Sequence, residues 1–294
     1  IWFKTMLGKD TQGNRAIIEH ILNKDAGYKQ SDSFLEVGKK IIMKLSVKIP
    51  ISKNLFDKSK IMGIDLGINN PAAVAICDKA TGEVITDEYT AKPLTRIFDG
   101  QEFIARYDGK FETYNLTPSF VNLRKACKIH EAKIKATCLY TGNSGHGRQS
   151  KMEKYYNAAG KERANVTNYF HNLSRQIINY AKHNNCGEIH MEDLSGIGNN
   201  DSILSKTWGY YQLQSIIEYK AKKEGIKIKY VDPKNTSKTC SSCGYIYDKD
   251  DWSTSIHEWN CPICGAVHNR DVNAAVNIAR AQEIKKDEEN LQDK

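Results

Sequence analysis

The sequence predicts an α/β protein built on a five-stranded mixed sheet, and three features of its 294 residues carry that prediction. Three short apolar runs, 61–68, 72–77 and 83–89, follow one another across tight polar turns, the pattern of an antiparallel meander. Two further short runs, 187–192 and 226–231, each follow a stretch of helical spacing and supply the fourth and fifth strands. Finally, two Cys-x-x-Cys pairs interrupt the chain between the fifth strand and a last, Ala-rich helix.

In chain order, residues 15–22 have the spacing of a short helix. Gly38 to Pro50 alternates as a strand with Ile41, Met43, Leu45 and Val47 on one face. Pro50 and the polar residues to Lys60 form a linker. Asn69-Asn70-Pro71 turns the first meander strand into the second, and 78–82 turns the second into the third. A helix is expected over Pro118 to Leu139, with Phe120, Leu123, Cys127, Ile134 and Cys138 near helical intervals. The Gly-rich basic loop 141–151 separates it from a second helix running to Asn184, where Phe170, Leu173, Ile177 and Tyr180 share the helical period. After a loop at 195–206, Trp208 to Glu224 is helical and Gly225 stops it. Asp271 to Lys285 is the last helix, and the charged end KKDEENLQDK is solvated. Three antiparallel strands, then helix, strand, helix, strand, helix is the element order of the RNase H fold. The expected division is a partial, β-rich segment with linker over 1–59, an RNase H-like domain over 60–233, an inserted ribbon over 234–269, and a terminal helix and tail over 270–294.

Charge and hydropathy narrow the class. Lys and Arg number 43 against 35 Asp and Glu, a formal charge of +8, which favours a polyanionic partner without demonstrating one. Mean hydropathy is −0.58, and no run of about eighteen apolar residues offers a membrane span. The opening Ile1-Trp2-Phe3-Lys4 is not a signal peptide and reads as entry into a larger polypeptide. Of the eight cysteines four are paired by spacing and four (Cys77, Cys127, Cys138, Cys186) are scattered. That reads as metal ligation plus buried thiols in a reducing, cytoplasmic setting.

Cys240-Ser-Ser-Cys243 and Cys261-Pro-Ile-Cys264 are each followed by glycine, Gly244 and Gly265. Two residues between thiolates let one tight turn present both sulfurs to one ion, and two such turns complete a closed tetrahedral zinc site. With all four positions filled by sulfur, the expected ion is structural; zinc binding is worth roughly 10–16 kcal/mol in zinc-finger peptides, enough to fold a module of this size. His257 and His268 lie close by but are not needed as ligands, and Trp252 and Trp259 are expected to pack the ribbon.

Three acids stand out. Asp65 interrupts an apolar strand between Gly63 and Gly67, a costly position unless the charge is paired or bound to a cation. Glu192 ends the fourth strand and Asp271 opens the last helix. The RNase H order makes the first and fourth strands neighbours and lays the last helix across their ends, so the three would meet. Carboxylates so placed repel one another unless divalent cations intervene, and two Mg²⁺ about 4 Å apart suit in-line phosphodiester hydrolysis. Taken singly, each acid could be a cap or a surface ion pair, Asp271 an N-cap above all. Asp193 and Asp232 are candidates for supporting positions.

At GIDLGINN (63–70), MEDLSGI (191–197), TSKTCSSCG (236–244), CPICG (261–265) and NRDVNAAVNIA (269–279), the chain resembles the RuvC nuclease part of TnpB-like proteins and type V CRISPR effectors. SGHGR (144–148) and CGEIHMEDL (186–194) look most like the miniature type V-F effectors. The resemblance implies an RNA-guided DNA endonuclease with one RuvC site, and Asp65, Glu192 and Asp271 as its Mg²⁺-binding acids. It also implies guide RNA, target DNA and a second copy of the protein as partners.

Arg148, Lys151, Lys154, Lys161 and Arg163, interleaved with Tyr155 and Tyr156, read equally as a phosphate-gripping loop and helix or as a solvated basic face. Lys238 is a further candidate contact. Arg270 has the choice of a scissile phosphate or an ion pair with a neighbouring carboxylate. Lys125, Lys128, Lys133 and Lys135 are expected to be ordinary surface. Two other functions remain open at this point: an RNA-guided binder that represses without cutting, and a transposon accessory protein that binds DNA without RNA. Metal-dependent cleavage separates the first from a nuclease, and binding without guide separates the second.

Overall fold

The computed structural model describes residues 14–37, 41–51, 54–67, 70–98, 120–139, 146–194, 209–247 and 256–283. The chain divides into two compact units, Ile1–Lys53 and Asn54–Lys294. In the first, α1 (Asn14–Leu22) is followed by an antiparallel pair, β1 (Lys29–Val37) and β2 (Ile41–Lys48). The helix and β2 fall where the sequence places them. β1 was not expected, because KQSDSFLEV lacks a regular alternation; its backbone is held by pairing with β2 across an irregularity at Gln30/Ser33. The apolar side of β2 stays accessible, with Met43 51% and Leu45 41% exposed.

The second unit is organised by the mixed five-stranded sheet. Its strands are β3 (Asp57–Asp65), β4 (Ala72–Asp78), β5 (Thr95–Phe98), β6 (Cys186–Glu192) and β7 (Lys227–Val231), in the spatial order β5-β4-β3-β6-β7. β4 is antiparallel to both β3 and β5, whereas β6 runs parallel to β3 and β7 parallel to β6. The third strand is a correction. It lies at Thr95–Phe98, not 83–89, because Asp87 Oδ1 accepts from the amides of Tyr89 and Thr90 and turns the chain before a strand can extend. Residues 83–94 still dress β4, through Ile85 N to Ile76 O and Ile76 N to Leu94 O.

One sheet face is covered by α3 (His146–His183) and α4 (Tyr210–Glu224). Phe170, Leu173, Ile177, Leu213 and Ile217 pack there against Met62, Ile64, Val74, Ile76, Ile189 and Met191. α2 (Phe120–Leu139) packs along α3. α3 begins at His146, inside the stretch expected to be loop; residues 141–145 and the loop 195–206 lie outside the described residues. Gly225 closes α4 in the left-handed conformation, as its position predicts.

The other face receives α5 (Arg270–Arg280), whose Ala275, Val276 and Ala279 pack on Ile61, Ala75 and Cys77. Gly63 allows this helix to approach: a Cβ there would lie 2.0 Å from Ala275 O and 2.6 Å from Ala279 N. α5 ends at Arg280, short of the expected Lys285, with Ala281 already extended. Its N-cap is Asn269, whose side chain accepts from Val272 N at 3.2 Å; Asp271 is therefore not the cap.

Candidate active site and metal centre

The four cysteines converge. Cys240 Sγ lies 3.7 Å from Cys264 Sγ and Cys243 Sγ 3.6 Å from Cys261 Sγ, close to the roughly 3.8 Å edge of a tetrahedron with Zn–S near 2.3 Å. Each pair sits in the same turn: Gly244 N donates to Cys240 O and Gly265 N to Cys261 O, both at 2.9 Å, with φ of 77° and 71°. Only glycine takes that φ without strain, which is why each pair is followed by one. The second pair is flanked by a hairpin of β8 (Glu258–Asn260) and β9 (Val267–Asn269). Trp259 is buried there against Tyr247 and His268, as expected, while Trp252 lies outside the described residues. His257 is exposed; His268 is buried with Nε2 3.0 Å from Cys240 Sγ, a partner to the sulfur beside a ligand set already complete. The donor set and its spacing fit zinc.

A second set of side chains gathers where β3 and β6 end. The parallel register pairs Ile64 with Met191, so Asp65 and Glu192 leave adjacent strands at the same edge. α5, lying over Gly63, brings Asp271 to them. The Asp65 carboxyl is held well above its ordinary pKa, first by burial and then by the charges of Glu192 and Asp271, with Arg270 opposing. Among the described residues no hydrogen bond reaches that carboxyl. Burial likewise raises Glu192, the Thr236 hydroxyl works against it, and Asp232 adds to it. Tyr210, at the start of α4, is raised by burial and by the charges of Asp65 and Glu192. Among the described residues the cysteines alone bring three or more potential ligand atoms within 4.8 Å of one another, so at least one pair among the three acids is wider than that.

Two of the acids are fixed by neighbours, of which the sequence alone points only to Arg270. Asn70 Nδ2 donates to Asp271 Oδ2 at 2.6 Å, and Arg270 pairs with Oδ1 through Nε at 3.1 Å and a terminal nitrogen at 3.0 Å. Arg270 thus takes the ion-pair alternative. Thr236 donates to Glu192 Oε1 at 2.5 Å, and Gln214 Nε2 to the Glu192 carbonyl at 2.7 Å. Asp193 N bonds Val231 O, tying β6 to β7 just past Glu192. The sequence signals were there: Asn70 stands in the turn after Asp65, and Asn273 and Asn277 repeat at i, i+4 on the helix that starts with Asp271.

The basic candidates do not assemble as one patch. Arg148 and Lys151 belong to the first turns of α3. Lys154 and Arg163 are exposed on the same helix nine residues apart, which at 3.6 residues per turn sets them on opposite sides. Tyr155 and Tyr156 pack edge to face at 5.6 Å. Lys238 is partly exposed just before the first knuckle. Lys128, read as plain surface, pairs with buried Glu131 and Glu162 at 3.2 and 3.8 Å.

The fold and the two clusters define a class: an α/β domain whose parallel strand ends and last helix carry acids, with a four-cysteine ribbon spliced in between. Comparison with known proteins takes this further. Residues 210–278 match the family described as Cas12f1-like, TNB domain. A CRISPR-associated endodeoxyribonuclease Cas12f1 of Sulfoacidibacillus thermotolerans is 34% identical over 232 residues, covering 76% of this chain and 46% of that protein. A TnpB-like protein of Methanocaldococcus jannaschii is 29% identical over 252 residues, covering 83% of this chain and 77% of its own. Among solved structures, a Cas12f1–sgRNA–target DNA complex shares the fold, with a TM-score of 0.64 and 24% identity over 92% of this chain and 49% of that one. The chain is a relative of the miniature type V-F effectors and TnpB-like proteins, and it spans about half the length of the Cas12f1 relatives it matches.

Proposed function

We propose that the chain is the RuvC-type, RNase H-like nuclease part of an RNA-guided DNA endonuclease, hydrolysing phosphodiesters at one site with Asp65, Glu192 and Asp271 as the metal-binding acids. The observation that carries this reading is Asp65. A carboxyl raised by burial and by two neighbouring acids, with no hydrogen bond among the described residues, is a place where added positive charge is stabilising. At least one pair among the three acids is wider than 4.8 Å, which suits two Mg²⁺ ions better than one shared by all three. When bound, the two Mg²⁺ supply an activated water, stabilise the leaving 3′ oxygen and neutralise the scissile phosphate. The chain's own part is to hold the ligands: Asn70 and Arg270 fix Asp271, and Gln214 and Thr236 fix Glu192. The cysteine ribbon holds a structural zinc.

In the same reading, residues 1–59 belong to the wedge, 60–233 and 270–294 to the nuclease domain, and 234–269 to a target nucleic-acid-binding ribbon. The partners are guide RNA, target DNA and a second copy of the protein, within a prokaryotic cell. Arg148, Lys151, Lys154, Arg163 and Lys238 are proposed phosphate contacts on separate surfaces. The Cas12f1 relatives named endodeoxyribonucleases, and the related fold solved with sgRNA and target DNA, support the assignment. The test is cleavage of target DNA by the guide-RNA-bound assembly with and without Mg²⁺. Cleavage that needs Mg²⁺ and is lost in Asp65→Ala is expected; cleavage surviving that substitution rejects the site.

A further inference from the structure

The segment between β7 and the first cysteine turn touches one acid directly and the helix that carries another. Thr236 is 8% exposed; its hydroxyl donates to Glu192 Oε1, while its carbonyl accepts from Asn277 Nδ2 at 2.8 Å. The same Nδ2 lies 2.7 Å from Thr239 O. One helical turn earlier, Asn273 Nδ2 also reaches Thr239 O at 2.7 Å, and its Oδ1 accepts from Ser241 N at 2.9 Å. Asn273 is 2% exposed, so its carboxamide has given up water for these contacts. Residues 239 and 241 flank Cys240. Two asparagines on one face of α5 therefore hold the backbone on either side of a zinc ligand, and the first turn of that helix carries Asp271.

On the two-metal reading given above, we propose that Thr236 is a positioning residue for Glu192 and that Asn273 and Asn277 join it in a relay locking the ribbon and the acid cluster into one frame. Thr236 is suited to this by its two ends. Its backbone is pinned to the helix that bears one acid, and its hydroxyl orients the other acid from β6. A carboxylate anchored through one oxygen presents the rest of its lone pairs in a fixed direction. Without the anchor it must be ordered by the cation itself, and affinity falls. Packing alone would make a different demand at this position, because valine has threonine's shape without the donor.

The experiment is Mn²⁺ binding to the full chain by titration calorimetry, with thermal melting alongside. Thr236→Val is expected to lose about tenfold in Mn²⁺ affinity, the worth of one hydrogen bond to a charged group, with little change in Tm. Thr236→Ser, which keeps the donor, stays within about twofold of the parent. Asn277→Ala, which touches no acid, loses about threefold. The inference is overturned if Thr236→Val binds Mn²⁺ as the parent does, if Thr236→Ser is as weak as Thr236→Val, or if a folded Asn277→Ala is unaffected. Asp65→Ala separates this from the underlying assignment: parent-like Mn²⁺ binding there would remove the metal site itself. Loss in Asp65→Ala with none in Thr236→Val rejects the relay alone.

Discussion

Strand β6 carries two acids, buried Glu188 near its beginning and half-buried Glu192 at its end, and the chain treats the two ends in opposite ways. At Glu188 burial works to raise the pKa, but a hydrogen bond from Lys79 and the charge of Lys229 beside it overcome that and hold the group at about 2. Lys79 Nζ is 2.9 Å and Lys229 Nζ 3.1 Å from its oxygens, and His190 stands 3.7 Å away. At the other end Asp65 and Glu192 face each other and Asp271, and the cation that offsets Asp65 among the described residues, Arg270, is paired to Asp271. One acid is neutralised by lysines the sequence provides; the other cluster sets three acids against Arg270, an excess of negative charge that the proposed cations would offset. A buried carboxylate supports a structural role where its partners are present and a metal-binding role where they are missing.

The strongest way to break this contrast is to neutralise each end in turn. Asp65→Asn removes a proposed metal ligand and should lower guide-dependent cleavage by at least about a thousandfold, or roughly 4 kcal/mol of barrier. It should also raise the Tm of the Mg²⁺-free protein at pH 7. The sign follows from the raised pKa: the cost of ionising Asp65 sets in as pH rises above the ordinary carboxylate value, and it is fully present above the folded value. Glu188→Gln should do the reverse, leaving two lysines without their shared acid and costing roughly 2–3 kcal/mol. That is below the 3–5 of fully buried pairs because Lys79 is 46% exposed. A Tm that falls in Asp65→Asn, or holds in Glu188→Gln, would erase the distinction.

Next in size is the helix that brings Asp271 across. Gly63→Ala places a methyl against the α5 backbone, which cannot yield as a side chain would, and should cost roughly 2–3 kcal/mol. The displaced α5 should cut poorly even where it stays folded, whereas the Glu188 lysine contacts, made from the sheet, should persist. Measured as a urea midpoint and a cleavage rate, equal loss at both would mean that α5 does not position the site. Cys240→Ser acts from the ribbon side and should leave most of the sheet core folded while reducing cleavage. A fully active mutant would show the ribbon to be dispensable.

How much of this was legible in the sequence differs between the two ends as well. Asp65 announced itself because a charge inside GIDLG breaks an apolar run, and the cysteine turns announced themselves because their spacing and glycines are dictated by ligand geometry. Glu188 sits in a strand that is also buried, CGEIHME, but one whose sequence is not apolar, and its lysines come from a turn at 79 and a strand at 229, a pairing set by the fold and invisible to local pattern. Strand β1 and the true third strand were missed for a related reason. Both owe their conformation to the neighbour they pair with, and 83–89 looked stronger than 95–98 until the Asp87 turn cut it short.

The smallest expected effect is the pH dependence, and it sharpens the contrast most directly. Stability contributed by Glu188 is present above its ordinary carboxylate range and is lost only as pH falls towards about 2, so between pH 6 and 8 it contributes a constant amount. Asp65 and Glu192 are shifted upwards, so protons compete with divalent cations at a higher pH than at an ordinary carboxylate site. Mg²⁺ affinity should therefore strengthen from pH 6 to pH 8 by a few fold, roughly 0.5–1 kcal/mol in binding free energy, and cleavage at subsaturating Mg²⁺ should rise with it. In Glu188→Gln the slope should be unchanged, because that acid is not among the proposed ligands. An affinity flat across that range in the parent protein would mean that the acids ionise normally, and that the end of the sheet without lysines is no more in need of cations than the end that has them.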